Sequence, residues 1–293
     1  MTKFIDKDKV SKNMSSRLTK NSILKGIFFL ATLFGLVVLV VLLGRIFTQG
    51  YSHLTWDFFN NFASRRPEQA GIKAALIGSI WLMISTIVIS FALGVGTAIY
   101  LEEYAKKNKL TNLIQVNISN LAGVPSVVFG LLGLTVFVRL LGFGVSILAA
   151  AFTMSLLILP VIIVASQEAI RAVPKELREA SYGMGATKWQ TILRVVLPSA
   201  VPGILTGSIL ALSRAVGETA PLIVIGIPAF ITSLPSSVLS NFTALPMQIY
   251  NWTGRPQEAF QEIAAAAILV MLVFLIVMNS VAVYIRNKYA NRY

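Results

Sequence analysis

Residues 199–226 read SAVPGILTGSILALSRAVGETAPLIVIG, an apolar stretch that carries one arginine and one glutamate. About 20 consecutive apolar residues are enough to cross the hydrocarbon core of a bilayer as a helix, so this stretch predicts a transmembrane helix. Arg214 and Glu218 are four residues apart, which places them on one face of a continuous helix. A charge inside such a helix costs about 3 kcal/mol on insertion scales. We interpret the pair as a place where something charged is handled inside a membrane.

The composition of the chain is that of an integral membrane protein. Its 293 residues are 56% hydrophobic and 13% charged, whereas soluble domains carry about 25% charged residues. The chain has no cysteine, so neither disulfides nor thiolate ligands are available. His53 is the single histidine and has no second one with which to share a metal, so we predict no metal site.

Several apolar segments are long enough to cross a bilayer, which predicts an all-α polytopic membrane protein with six transmembrane helices. A basic tail of residues 1–25 precedes the first segment, and a short tail of residues 287–293 follows the last. The predicted spans cover residues 26–47, 74–101, 113–140, 144–169, 199–226 and 259–285.

The basic residues predict the orientation of these spans. Cytoplasmic connections of membrane proteins carry an excess of Lys and Arg. If the N-terminus is cytoplasmic, most of the 25 Lys and Arg residues fall on that side. We therefore predict that both termini are cytoplasmic, and that residues 48–73 and 227–258 lie outside, where the second connection dips into or covers the membrane. The same distribution argues against nucleic-acid binding, despite the net charge of +13.

Residues 170–198 form a long predicted cytoplasmic loop. Pro174 is followed by an acidic first turn, which predicts the start of a helix. Gly183 and Gly185 are expected to end that helix in a bend where another backbone could approach closely.

A second short helix is expected after this bend. Thr187 is suited to cap it, and Pro198 is expected to stop it after residues 188–196. Trp189 on this helix offers a large apolar side chain of the kind enriched at interfaces.

The spacing in this loop resembles the "EAA" signature of ABC-importer permeases. Glu179 and Ala180 are followed by Gly185 and, nine residues later, by a segment that ends in Leu197-Pro198. Ser181 replaces the third-position alanine of the signature, and Val195 replaces an isoleucine. The resemblance implies a type I ABC importer permease fold in which this loop forms coupling helices that dock on a separate ATPase. The coupling residues it implies are Glu179, Ala180, Gly183, Gly185, Ala186, Trp189, Leu197 and Pro198.

Three segments narrow the resemblance to PstA-type permeases of the bacterial phosphate-specific ABC importer: residues 121–134, 170–198 and 210–221. It implies a first transmembrane helix and outer loop over residues 26–69, and an ABC transmembrane type-1 permease domain over residues 70–286. The implied location is the bacterial cytoplasmic membrane. The implied partners, besides the lipid bilayer, are a homologous permease (PstC-type), ATPase subunits (PstB-type) and an extracytoplasmic phosphate-binding protein (PstS-type).

The chain itself is expected to be a transporter subunit and not an enzyme. It has no G-x-x-x-x-G-K-[ST] phosphate loop, so we expect that it does not hydrolyse ATP itself. We expect no cofactor in this chain, because ATP and Mg²⁺ are used by the partner ATPase. An intramembrane hydrolase would need a nucleophile and a base, and the only histidine lies in an outer loop. A secondary transporter would not need the spacing of the docking loop.

The residues around Arg214 suit an anion pathway. The planar fork of arginine donors fits phosphate oxygens. At neutral pH phosphate still carries a proton, whereas sulfate does not, and the Glu218 carboxylate can accept a hydrogen bond from that phosphate O–H. Ser213 and Thr219 could add donors, although such hydroxyls often bond helix carbonyls instead. Another oxyanion as the substrate, or a purely structural ion pair, stays open at this point.

Two further sets of residues have alternative interpretations. Glu168 and Arg171, at the end of the fourth span, serve either interfacial structure or gating. Prolines within the spans would kink or end helices, for gating or for packing alone. These prolines are Pro125, Pro160 and Pro221.

Overall fold

The computed structural model describes residues 7–106 and 108–290, and the chain divides into two compact units at residue 50. Most of the first unit is helix α1 (Lys7–Gly50), which contains the predicted span 26–47. The helix begins well before that span, so much of the predicted basic tail is helical. Its early start is explained by the composition of residues 7–25, which contain neither Gly nor Pro.

The second unit holds the remaining helices, and no strand occurs among the residues that the structure describes. The α-helices are α2 (Trp56–Asn60), α3 (Lys73–Ile99), α4 (Lys109–Leu121), α5 (Ser126–Leu132), α6 (Ile147–Arg171), α7 (Lys175–Gly183), α8 (Lys188–Thr191), α9 (Leu197–Val216), α10 (Ala220–Ile225), α11 (Leu245–Thr253) and α12 (Glu258–Ala290). Short 3₁₀ turns occupy Tyr51–His53 and Pro67–Gln69, and π-helical turns occupy Tyr100–Tyr104, Gly133–Leu140 and Ile192–Val196.

Five helices of the described chain are long and apolar enough to cross a membrane, or six when one bent pair counts as a single span. That pair is the predicted third span, 113–140, which is not straight: α4 and the segment Ser126–Leu140 meet at 111°. The bend follows from Pro125, because a proline disfavours helical backbone in the residue before it, here Val124. The kink expected at Pro125 is therefore a sharp break.

The predicted fifth span also differs from a simple helix at both of its ends. Pro198 does not stop the preceding helix. The backbone N–H of Leu197 bonds the Ile192 carbonyl across a π-turn, and Pro198 lies in the first turn of α9, where its missing N–H costs little. At the other end α9 stops at Val216, and the short helix α10 begins only at Ala220.

The long helices of the second unit pack in a chain of neighbours. Helix α3 packs against α6, α6 packs against α9, and α9 packs against α12, while α5 lies beside α10. Small residues permit these close approaches: a side chain at Gly94 would meet Ile162, and one at Gly207 would meet Ala165. The shared core contains Met154, Ile158 and Leu222, each almost fully buried.

The segment 227–258 folds over the helices of the second unit. Its helix α11 packs against α12 and α3, and Trp252 is fully buried beside Phe58. The backbone N–H of Leu245 donates to the Ser79 hydroxyl of α3 at 2.8 Å. This segment therefore lies at the N-terminal end of α3, opposite the 170–198 loop.

Gly78 allows this segment to approach α3, and its replacement tests the packing. A Cβ atom at residue 78 would overlap the carbonyl oxygen of Thr243. We expect Gly78→Ala to lower the free energy of unfolding in detergent by about 1–3 kcal/mol, because the backbone must shift to make room. The matched control is Gly96→Ala on the same helix, where a Cβ atom meets nothing within 4 Å. Equal stability of the two variants would contradict this packing.

Candidate functional site

The predicted ion pair is formed, although not on one continuous helix. The Arg214 Nε lies 3.4 Å from the Glu218 Oε1. Arg214 is in the last turn of α9, and Glu218 lies in the break before α10. The break follows from Gly217 and from Pro221, which cannot donate to the helix ladder. Arg214 suits this position, because cations are stabilised at the C-terminal end of a helix.

The two charged side chains of this pair face different surroundings. The Arg214 side chain is 55% exposed, whereas that of Glu218 is 20% exposed. Glu218 borders a small pocket of about 10 Å³, room for about one water. The pocket wall includes Ser79 of α3, Leu245 of α11 and Phe274 of α12. The pair therefore lies near the end of the bundle covered by segment 227–258, and not halfway along it.

Neither flanking hydroxyl points freely toward a ligand. The Ser213 hydroxyl lies 2.8 Å from the Ile209 carbonyl oxygen and 2.7 Å from the amide oxygen of Asn279, which is on α12. Thr219 donates weakly to the Gly217 carbonyl at 3.5 Å. Sequence reasoning missed Asn279, although a polar residue within the apolar segment 259–285 is a visible signal.

The 170–198 loop forms two short helices, as its capping residues predict. Thr187 begins α8 with a capping box: its hydroxyl accepts from the Gln190 N–H at 3.3 Å, and its own N–H donates to the Gln190 side chain at 2.9 Å. The chain reverses at Gly185, whose φ of +84° is a conformation that favours glycine. The Ser181 hydroxyl joins the two helices through Thr191 at 2.9 Å.

Most of the residues predicted to couple are exposed on this loop. Trp189 is 56% exposed, and Met184, which sequence reasoning did not single out, is 87% exposed between two glycines. Exposed apolar side chains that lie together mark interaction surfaces. Ala186 is half-buried, and Leu197 and Pro198 are half-buried in the first turn of α9. The remaining predicted coupling residues are exposed, namely Glu179, Ala180, Gly183 and Gly185.

The predicted Glu168–Arg171 contact is present at 3.0 Å, but Arg171 has a closer partner. Its guanidinium lies 2.6 Å from the carboxylate of Glu102 at the end of α3. The Glu102 carboxylate also accepts from the Gln167 amide at 2.8 Å. Sequence reasoning missed Glu102, because its partners are about 65 residues away along the chain.

No group of three or more His, Asp and Glu side chains that could hold a metal ion occurs in the described part of the chain. His53 contacts the Glu262 carboxylate at 3.5 Å and the Ser52 hydroxyl at 3.1 Å.

The fold and the site define a class of protein: a multi-pass helical membrane component with an exposed helical loop at one end and a partly exposed charged pair near the other end. The chain belongs to the family of binding-protein-dependent transport system inner membrane components, whose sequence profile matches residues 90–291. A transporter of this family works with an ATPase and a binding protein. The chain is accordingly a permease component and not an enzyme.

Individual relatives agree with this family. The chain is 37% identical over 210 residues to the probable ABC transporter permease protein YqgI of Bacillus subtilis (strain 168), covering 72% of this chain and 71% of the relative. It is 36% identical over 276 residues to the phosphate transport system permease protein PstA 1 of Mycobacterium tuberculosis (strain CDC 1551 / Oshkosh), covering 92% and 90%.

The fold has relatives among solved structures. A chain of a bacterial alginate ABC transporter in complex with an alginate pentasaccharide-bound periplasmic protein superposes with a TM-score of 0.67. The two chains are 17% identical, and the match covers 94% of this chain and 97% of that one. This likeness shows that the chain has the fold of an ABC importer permease.

Proposed function

We propose that this chain is the permease subunit of an ATP-driven importer of inorganic phosphate, and that the anion passes Arg214. The observation that carries the proposal is the half-exposed side chain of Arg214 at the end of α9, one of the helices long and apolar enough to cross a membrane. A charge on such a helix is costly when it faces lipid, so it belongs beside a partner or a polar pathway. The relatives named as phosphate transport permeases support phosphate as the substrate.

The geometry of the arginine leaves donors free for an anion. Glu218 engages Arg214 through Nε, and within the described residues the two terminal nitrogens make no hydrogen bond. Arginine donors in this fork bind two oxygens of a phosphate at once. Glu218 therefore orients the guanidinium, and the terminal nitrogens bind the anion.

Glu218 gives the site a preference for protonated oxyanions. At neutral pH phosphate retains a proton, whereas sulfate has none. A carboxylate accepts the phosphate O–H as a hydrogen bond, but it repels an oxyanion that has no proton to donate. The carboxylate is only 20% exposed, which limits the screening of this repulsion by water.

The pathway needs a second permease. Arg214 is exposed on the surface of this chain, and a homologous permease (PstC-type) that covers this surface would remove the arginine from lipid. The distribution of Lys and Arg supports both termini in the cytoplasm of a bacterial cell, with the protein in its cytoplasmic membrane. An extracytoplasmic phosphate-binding protein (PstS-type) then delivers the anion on the side of segment 227–258.

The 170–198 loop is the proposed docking site for the ATPase subunits (PstB-type), which bind ATP and Mg²⁺. Trp189 and Met184 supply exposed apolar surface, and the bend at Gly185 presents little side-chain bulk. Glu179 and Ala180 are exposed on α7 of the same loop. Leu197 and Pro198 act indirectly, since they join the loop to α9.

Arg214→Ala should reduce ATP-dependent phosphate uptake by the reconstituted complex at least about tenfold, because two charge-assisted hydrogen bonds to the anion are lost. Arg214→Lys keeps the charge without the fork and should lose less. The matched control is Arg65→Ala, an exposed arginine outside the predicted spans. Near-normal uptake by an assembled Arg214→Ala complex would exclude Arg214 from the pathway.

Glu218→Gln should change selectivity more than rate. Removing the negative charge removes the repulsion of sulfate. We therefore expect sulfate to inhibit phosphate uptake about tenfold more strongly, which is the size of effect expected when one close like-charge contact is removed. Glu258→Gln, at the exposed start of α12, is the control. Unchanged inhibition by sulfate, together with an unchanged pH profile of uptake, would leave Glu218 a structural residue only.

Gly185→Val should lower co-purification of the ATPase about tenfold, since a β-branched residue at a φ of +84° distorts the loop. Gly96→Val adds the same side chain on α3, where a Cβ atom meets nothing and φ is not positive, and it serves as the control. If the Gly185→Val complex retained its ATPase at wild-type yield, the bend would not be part of the docking surface.

A further inference from the structure

Three consecutive residues at the end of α3 contact three different parts of the 170–198 region. Glu102 binds Arg171 at the end of α6 through two hydrogen bonds, Nη2 to Oε1 at 2.6 Å and Nε to Oε2 at 2.9 Å. Gln167, one turn earlier on α6, donates to the same carboxylate. The Glu102 side chain is 15% exposed, so water screens this contact only in part.

Glu103 forms the second contact, with Arg178 of α7 at 3.2 Å. Both side chains are mostly buried, 10% exposed for Glu103 and 19% for Arg178. Arg178 also donates to the carbonyls of Ile170 at 2.8 Å and Val173 at 3.0 Å. One guanidinium thus joins α7 to the end of α3 and to the end of α6, and removing either partner leaves a buried charge unpaired.

Tyr104 forms the third contact. The ammonium group of Lys188, the first residue of α8, lies 4.9 Å from the centre of the Tyr104 ring, within the range of a cation–π interaction. Both short helices of the loop are therefore held by the same segment of α3.

The backbone of this segment has an unusual form that separates the three side chains. Tyr100–Tyr104 is a π-turn, closed by the hydrogen bond from the Ala105 N–H to the Tyr100 carbonyl at 2.8 Å. A π-turn adds one residue to a helical turn and so changes the directions of the side chains within it, here those of Glu102, Glu103 and Tyr104. Such turns are frequent at functional sites.

Helix α3 also reaches the charged pair in the membrane. Ser79, Leu82 and Met83, near its other end, line the pocket beside Glu218. The intervening helix is unbroken from Lys73 to Ile99, about 40 Å long at 1.5 Å per residue. It contains no proline that would bend it.

We propose that Glu102, Glu103 and Tyr104, here called the α3 clamp, tie the 170–198 loop rigidly to α3, so that movement of the loop is transmitted along α3 to the pocket beside Glu218. The clamp residues and Arg178 are positioning residues, since none of them contacts the transported anion. The inference rests on the proposed docking of this loop on an ATPase. Energetic coupling between distant sites is carried by ion-pair networks and rigid secondary elements, which the clamp and α3 supply.

The test is made in the full complex. This chain has no native cysteine, so the introduced cysteines are the only thiols that it contributes. The double variant Glu103→Cys/Arg178→Cys removes the ion pair when its thiols are free, and it restores a tether when a short bis-maleimide adds both thiols and joins them through thioether bonds. With free thiols we expect phosphate transported per ATP hydrolysed to fall on the order of tenfold, while the ATPase still co-purifies. After cross-linking, the ratio should return to within about twofold of its value without the substitutions.

Other outcomes would overturn the clamp. A normal transport ratio with free thiols would show that the contact is dispensable, and a low ratio after cross-linking would show that the contact must open during transport. Loss of the ATPase from the double variant would mean that the pair shapes the docking surface instead. A wrong substrate assignment would give a different result from a wrong clamp proposal. In that case the complex without substitutions would itself hydrolyse ATP without transporting phosphate.

A second variant avoids the buried ion pair. Tyr104→Leu removes the ring beside Lys188, and Tyr104→Phe retains it as the matched control; Tyr104 is 43% exposed, so neither change opens a core cavity. We expect Tyr104→Leu to lower the transport ratio about two- to fivefold, and Tyr104→Phe to leave it unchanged. Equal ratios for the two variants would remove Tyr104 from the clamp.

Discussion

In the hydrocarbon core of a bilayer, every backbone N–H and C=O group must find its partner inside the protein. This constraint makes each interruption of a helix expensive, so interruptions occur where other parts of the protein cover them. The interruption after α9 obeys it: the N–H groups of Gly217 and Glu218 bond the carbonyls of Arg214 and Ala215, each at 3.2 Å. The break then places a carboxylate beside a guanidinium without leaving these backbone donors unpaired.

Both ends of α3 lie near charged residues of the second unit. At one end, Glu102 pairs with Arg171, which is partly exposed, and Glu103 pairs with Arg178, where both side chains are mostly buried. At the other, Ser79 of α3 borders the pocket of Glu218 and bonds the segment that covers it. Helix α3 between them is apolar and uninterrupted. Such a rigid helix can carry the coupling proposed between the 170–198 loop and the pocket beside Glu218.

The exposed guanidinium of Arg214 sets a condition on the assembly. Its neighbour Ser213 is already held by Asn279 of α12, so α9 and α12 are fixed together on that side. The open side of the arginine is the one on which an anion and a second permease would meet. In the proposed pathway this ion pair serves two purposes, because Glu218 would restrain the arginine and would also select among anions.

The sequence by itself determined the apolar spans, the two short helices of the 170–198 loop and the contact between Arg214 and Glu218. These features depend on hydrophobic length, on caps such as Pro174 and Thr187, and on partners a few residues apart. Only the tertiary structure decided that the third span bends by 111° and that a break separates Arg214 from Glu218. The tertiary structure also decided the ion pairs of the α3 clamp, which join residues 69 and 75 positions apart in the sequence. Such contacts arise from packing between distant segments, and a local sequence pattern does not reveal them.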